Sequence, residues 1–127
     1  MKVIRFNDAR RYEPQEQWVR ASLCDQKDIS IEHFVKPAGH VSPRHSHSNS
    51  QVLALLSGKV IVHSDNYDDQ EIKQGDVIYI PGDEPHWVAN PLDEPAAGLD
   101  IFVPGRSFEY WTKQLTRSSR TAPAKTS

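Results

Sequence analysis

The sequence contains a single cysteine, Cys24, among 127 residues. One cysteine cannot form an intrachain disulfide, so the fold has to depend on its packed core, and a reducing cytoplasm is the simplest location. Long apolar runs are also missing, so no segment resembles a membrane-spanning helix. The opening residues, Met-Lys-Val-Ile-Arg-Phe, do not form the apolar stretch of a signal peptide. The sequence therefore predicts a cytoplasmic protein that does not contact membranes.

Several functional motifs are absent as well. The chain has no Gly-rich phosphate loop, no Ser/His/Asp set, no Cys/His zinc knuckle and no helix-turn-helix pattern. Residues 113–127 carry four basic and no acidic residues, which leaves 11 basic against 17 acidic residues in the remainder. An acidic body argues against nucleic acid as a partner. The segment from Thr116 onward is rich in Ser, Thr, Ala and Pro, so we expect one domain over 1–112 and a disordered basic tail over 113–127.

The composition favours an all-β fold. Nine prolines and six glycines accompany a hydrophobic content of 37%, and short apolar segments recur between turn residues. This pattern predicts nine or ten short strands in a barrel or jelly roll. We expect a first strand at 3–6, a loop at 8–17 and a last strand at 98–103. Helical spacing of Phe108, Trp111 and Leu115 predicts a short C-terminal helix over 108–115.

A group of polar residues marks a candidate metal site. His45, His47 and Gln51 are all odd-numbered, so an extended chain would point them to one face. His86 arrives from a second strand about forty residues later. Three imidazoles and an amide oxygen suit a first-row transition metal such as Zn, Ni, Fe or Mn. The sequence therefore predicts one divalent metal held by these four residues.

The same residues resemble a known family. The segments 39–58 and 75–90 are similar to the two cupin motifs, G-x5-H-x-H-x3-E-x6-G and G-x5-P-x-G-x2-H-x3-N. Gln51 replaces the usual glutamate and Asp83 replaces a glycine. The resemblance implies a single-domain cupin β-barrel with one bound metal. The residues in register are Gly39, His45, His47, Gly58, Gly75, Pro81, His86 and Asn90.

The last strand adds two candidate catalytic residues. Asp100 and Phe102 share one face, and Arg106 follows at the strand end. If that face points inward, Asp100 is a candidate acid or base beside the metal, although a salt-bridge role is equally consistent with the sequence. Arg106 is a candidate carboxylate clamp or, alternatively, a solvated charge. The residues that we expect to line the pocket are Phe102, His33, Tyr79 and Arg20.

A narrower resemblance sharpens these roles. The pattern Asp100-Ile-Phe102-Val-Pro104-Gly-Arg106 is similar to the final strand of KdgF-type cupins, which linearise unsaturated uronates. The resemblance implies metal ligation by three histidines and Gln51, proton transfer by Asp100, a pocket wall at Phe102 and carboxylate binding by Arg106.

Three functions follow as hypotheses. The first is a metal-dependent enzyme acting on a small oxygenated or carboxylated compound, in its sharpest form an isomerase that opens unsaturated uronates. The second is an iron- or manganese-dependent dioxygenase, and the third is a non-catalytic small-molecule-binding cupin. We expect a homodimer formed through the apolar strands and the Trp111 region.

Overall fold

The computed structural model describes residues 1–121. After a short 3₁₀ turn at Phe6–Asp8, the chain forms nine strands and one helix. Their bounds are β1 (Arg11–Gln15), β2 (Trp18–Asp25), β3 (Ser30–Lys36), β4 (Ser50–Ser57), β5 (Lys59–Ser64), β6 (Gln70–Lys73), β7 (Val77–Ile80), β8 (His86–Ala89), β9 (Ala96–Val103) and α1 (Tyr110–Thr121).

The strands form two antiparallel sheets that enclose the core. The larger sheet has the order β1-β2-β3-β9-β4-β7, and the smaller has the order β6-β5-β8. The apolar core includes residues from both sheets, such as Leu53 of β4 and Val60 of β5. This architecture confirms the predicted all-β fold with a short C-terminal helix.

Strand alternation decides which residues reach the interior. In β4 the odd-numbered residues are buried, and in β9 the even-numbered ones are. Gln51 pairs with Phe102, and Leu53 pairs with Asp100, in the register of these two strands. Since residues paired across a ladder point to the same face of a sheet, Gln51 and Asp100 share the interior.

The N-terminal prediction was wrong in two places. Residues 3–6 do not form a strand, and the predicted loop at 8–17 contains β1. β1 pairs only with β2, at the edge of the large sheet, where Arg11 lies opposite Ala21. An edge strand tolerates Pro14 because one side of its backbone needs no ladder partner. The polar composition of residues 8–17 therefore led to the wrong prediction of a loop.

The C-terminal helix begins at Tyr110 instead of residue 108 and continues past residue 115 to Thr121. Residues 113–121, which the composition assigns to a disordered tail, are therefore helical, while 122–127 lie outside the described residues. Trp111 is only 2% exposed and packs against Trp18 of its own chain. Its indole is therefore part of its own chain's core, and a subunit contact through the Trp111 region stays a prediction.

The outer face of the large sheet remains partly apolar. Leu56, Val77, Tyr79 and Val103 are each at least half exposed there. The homodimer itself stays a prediction. Among the described residues, no helix has the length and apolar character that crossing a membrane requires.

Candidate metal centre

Two short backbone segments bring the three histidines together. His45 and His86 face each other across an antiparallel bridge, in which each backbone N–H donates to the other residue's carbonyl oxygen, at 3.0 and 2.9 Å. His47 follows two residues after His45, ahead of β4. The ligand nitrogens of the three imidazoles all lie within 4.8 Å of one another. The predicted histidine cluster is therefore assembled in the structure.

Hydrogen bonds to the backbone set the tautomer of each imidazole. The Nδ1 atoms of His45, His47 and His86 lie 3.0, 3.0 and 2.8 Å from backbone carbonyl oxygens. A carbonyl can only accept, so Nδ1 carries the proton and Nε2 carries the lone pair. Burial lowers the pKa of all three, that of His47 to about 4. All three imidazoles are therefore neutral at pH 7, which is the form that binds metals.

Gln51 adds a fourth donor atom to the cluster. Its Nε2 donates to Oδ1 of Asp100 at 2.8 Å, which turns its Oε1 toward His47. Oε1 lies 3.1 Å from Nε2 of His47. Because His47 is neutral and its proton is on Nδ1, two lone pairs face each other over this distance. That arrangement is repulsive unless a cation lies between the two atoms.

The donor set fits a divalent transition metal. Two ligand atoms bound at about 2.1 Å and at right angles stand about 3.0 Å apart, close to the separation of the Gln51 and His47 donors. Nε2 of His86 is buried and has no hydrogen-bond partner. Orphaned buried polar atoms are rare, and a metal ion would satisfy this one. His45, His47, His86 and Gln51 are thus the residues that would hold the ion.

Behind the cluster lies a buried charge network. Arg20 donates from Nε to Oε1 of Glu32 at 2.6 Å and from its second terminal nitrogen to Oδ2 of Asp100 at 2.7 Å. Arg106 reaches the same Glu32 oxygen at 3.5 Å. Glu32 was not selected from the sequence, because both faces of β3 carry apolar residues and its burial follows only from the fold. This network balances two cations with two anions and holds Asp100 against Gln51.

Arg106 is fixed by stacking and not by ion pairing alone. Its guanidinium carbon lies 3.9 Å from the ring centre of Phe102 and 4.2 Å from that of Tyr110. Its Nε is buried and has no hydrogen-bond partner. The guanidinium is therefore packed against two rings and keeps an N–H group for a ligand.

A small cavity joins these residues. Its volume is about 30 Å³, enough for about two water molecules. The cavity is lined by three of the metal-site residues, His45, Gln51 and His86, and by Arg20, Asp100, Phe102, Arg106 and Trp111. The indole of Trp111 lies 4.5 Å from the His45 ring, between centroids. A ligand larger than two waters therefore needs the cavity to widen.

Two predicted pocket residues do not line this cavity. His33 lies on the opposite face of β3 and packs against Phe6. Tyr79 is 62% exposed on the outer face of β7. Both lie on the outward face of their strand, whereas Arg20 and Phe102 lie inward as predicted. The predicted positions of His33 and Tyr79 were therefore wrong.

We expect Trp111→Ala to speed removal of bound zinc by a chelator, because the indole covers His45. The measurement is stopped-flow transfer of zinc to a chromogenic chelator, at a temperature where the variant is folded. Trp87→Ala is the matched control, since that indole stacks on His63 away from the site. Equal zinc-transfer rates in the Trp111 variant and the wild type would contradict a covering role.

Comparison with known proteins identifies the family to which this arrangement belongs. A family model described as "Cupin domain" matches residues 32–102. An uncharacterized protein of Methanocaldococcus jannaschii is 32% identical over 81 residues, which is 63% of this chain and 64% of that protein. The chain spans less than two thirds of the length of the curated relatives that it matches.

Solved structures share the fold. An RmlC-like cupin from Shewanella frigidimarina superposes with a TM-score of 0.75 at 18% identity, covering 84% of this chain and 94% of the other. KdgF from a Halomonas species gives a TM-score of 0.75 at 17% identity, covering 84% and 96%. At these identities the likeness is one of fold alone.

Proposed function

This chain belongs to the cupin domain family, and from that premise we propose that it is a metal-dependent enzyme acting on a small carboxylated compound. The observation that carries the proposal is the pair of facing lone pairs on His47 and Gln51, 3.1 Å apart. Two acceptors held in contact beside a third, unpartnered one on His86 favour a divalent cation between them, and such an ion beside a buried carboxylate and arginine suits catalysis.

Held by His45, His47, His86 and Gln51, a divalent ion would supply Lewis acidity toward an oxygen atom of the substrate. The protein's own residues supply the remaining functions. The unpartnered Nε–H of Arg106 donates to a substrate carboxylate, and the two flanking rings keep the guanidinium in the orientation needed. Because this donor belongs to a positively charged guanidinium, it favours anionic substrates over neutral ones.

Asp100 is the proposed proton acceptor. It lines the cavity, and its two oxygens accept hydrogen bonds from Gln51 and Arg20. Held in this way, the carboxylate keeps a fixed direction relative to the metal ligands, which is what a general base requires. The same contact with Gln51 also gives Asp100 a positioning role.

The finer proposal is the opening of a cyclic unsaturated uronate. The spacing of Asp100, Phe102 and Arg106 supports it, because the structure brings all three into one cavity. The fold shared with KdgF from Halomonas is compatible with it. In this proposal Arg106 binds the uronate carboxylate, and Asp100 removes a proton from the ring carbon or hydroxyl.

The test begins with metal content. Elemental analysis of the purified protein, beside the double variant His45→Ala/His47→Ala, should give one equivalent of metal in the wild type only. The protein loaded with zinc, nickel, manganese or iron is then assayed on unsaturated galacturonate by loss of the ring double-bond absorbance. Oxygen uptake by the iron-loaded protein would favour a dioxygenase instead. If no metal is bound, the protein would be a non-catalytic small-molecule-binding cupin.

Asp100→Asn should retain metal but lose turnover by about 10²–10⁴-fold, the usual contribution of a general base. Asparagine can still accept the Gln51 hydrogen bond, so the metal ligands keep their orientation. The measurement pairs metal stoichiometry with kcat on the substrate found above. Full activity in this variant would remove Asp100 from the mechanism, and loss of metal would reduce it to a positioning residue.

A further inference from the structure

A buried lysine lines the same cavity without taking part in the charge network. Lys36 ends β3, is 2% exposed and contributes to the cavity wall. Among the residues that the structure describes, no carboxylate forms an ion pair with it. Its Nζ instead lies 2.7 Å from Nδ1 of His40 and 5.1 Å from the ring centre of Trp18. Buried lysines without a carboxylate partner are rare in proteins, so this one is a candidate for a chemical role.

The groups around Lys36 favour its neutral form. Burial and the nearby cation Arg20 on β2 lower its pKa to about 7, and Asp100 on β9 opposes them only in part. His40, in the loop after β3, has a pKa lowered to about 4 by its own burial and by Lys36, so it is neutral. A large share of Lys36 is therefore an uncharged amine at neutral pH, as in lysines that act as nucleophiles.

His40 is arranged to accept a proton from this amine. Its Nε2 lies 2.7 Å from Oε1 of Gln15, and an amide oxygen can only accept. Nε2 therefore carries the ring proton, and Nδ1 presents a lone pair to Lys36. The amine donates one N–H to His40 and keeps its own lone pair for another partner.

We propose that Lys36 is a nucleophilic amine that captures the carbonyl group of a small aldehyde as an imine. The amine lone pair forms the carbon–nitrogen bond, and His40 takes a proton from the nitrogen. The carbonyl oxygen leaves as water with the two hydrogens lost by the amine. No oxidant or reductant takes part, and the addition of water reverses the reaction.

The test uses formaldehyde, which fits a cavity of about 30 Å³, and cyanoborohydride, which reduces the imine to a stable methylamine. Full-length protein is labelled briefly at pH 7, digested and analysed by mass spectrometry. We expect methylation of Lys36 to exceed that of the exposed Lys27 by at least about tenfold. The methylation rate of Lys36 itself should fall as the pH drops below about 7, because protonation removes the lone pair.

The matched variant is His40→Phe, which keeps an aromatic ring against Trp18 but removes the proton acceptor. It should slow capture at Lys36 and leave Lys27 unchanged. Slower labelling of Lys36 than of Lys27 in the wild type would overturn the proposal, and an unchanged Lys36 rate in the variant would overturn the role of His40. Capture needs no metal, so labelling that persists in chelator-treated protein separates this site from the proposed metal function.

Discussion

His86→Ala should reduce metal affinity by more than about 100-fold, because losses of 10–100-fold already follow from changes to groups that only support a ligand. His86 is the most buried of the three histidines, and its Nε2 has no other partner. The substitution removes one of four donor atoms without disturbing the tautomers of His45 and His47, which depend on their own backbone carbonyls. The remaining donors would bind an ion with an incomplete shell.

The measurement is competition for zinc with a chelator of known affinity, combined with elemental analysis of the purified variant. The matched control is His63→Ala on β5, the strand that pairs with β8. His63 stacks on Trp87 and bonds Asp69 outside the cluster, so its loss should leave zinc affinity unchanged. Equal zinc affinity for the His86 variant and the wild type would place the metal elsewhere or show that none binds.

Arg20→Met should lower the free energy of unfolding by about 3–5 kcal/mol, the usual cost of removing one partner from a buried ion pair. Arg20 is 3% exposed and is the only residue described that bonds both Glu32 and Asp100. Methionine fills similar space but leaves two carboxylates buried, with Arg106 as the remaining nearby cation. For a domain of this size the melting temperature should fall by about 10–20 °C.

Thermal and urea unfolding of the metal-free protein measure this loss directly. Arg44→Met is the control, because Arg44 forms a bidentate pair with Asp65 at the surface. Exposed ion pairs contribute little, so its unfolding should match that of the wild type. The double variant Glu32→Gln/Arg20→Met should lose less free energy of unfolding than the sum of the two single variants. In the double variant the Glu32 charge, which Arg20→Met leaves without its partner, is absent. Additive costs, or a harmless Arg20→Met, would show that the network does not stabilise the fold.

The histidine cluster and the fold class were both predictable from the sequence. His45 and His47 are two residues apart, the spacing that puts both on one face of an extended chain. A bend at Ser48 and Asn49 lies between them and Gln51 on β4. The glycines of the two motifs mark turns for the same local reason. Gly58, for example, has a φ of +83°, which residues with a Cβ rarely adopt. Local geometry therefore predicts the turns and the His45–His47 pair, whereas His86 joins them through its bridge with His45.

Which face of each strand points inward depends on long-range contacts. On β3 both faces carry apolar residues, so alternation could not distinguish His33 from Glu32. Glu32 faces the interior because it pairs with Asp100 across β3 and β9. This register is set by the partner strand and not by the sequence of β3 itself. The same long-range pairing buries Lys36 and joins Arg20 to Asp100, which lies 80 residues away in the chain. Charges buried by distant contacts leave no local signal, so the network around the metal site emerged only from the fold.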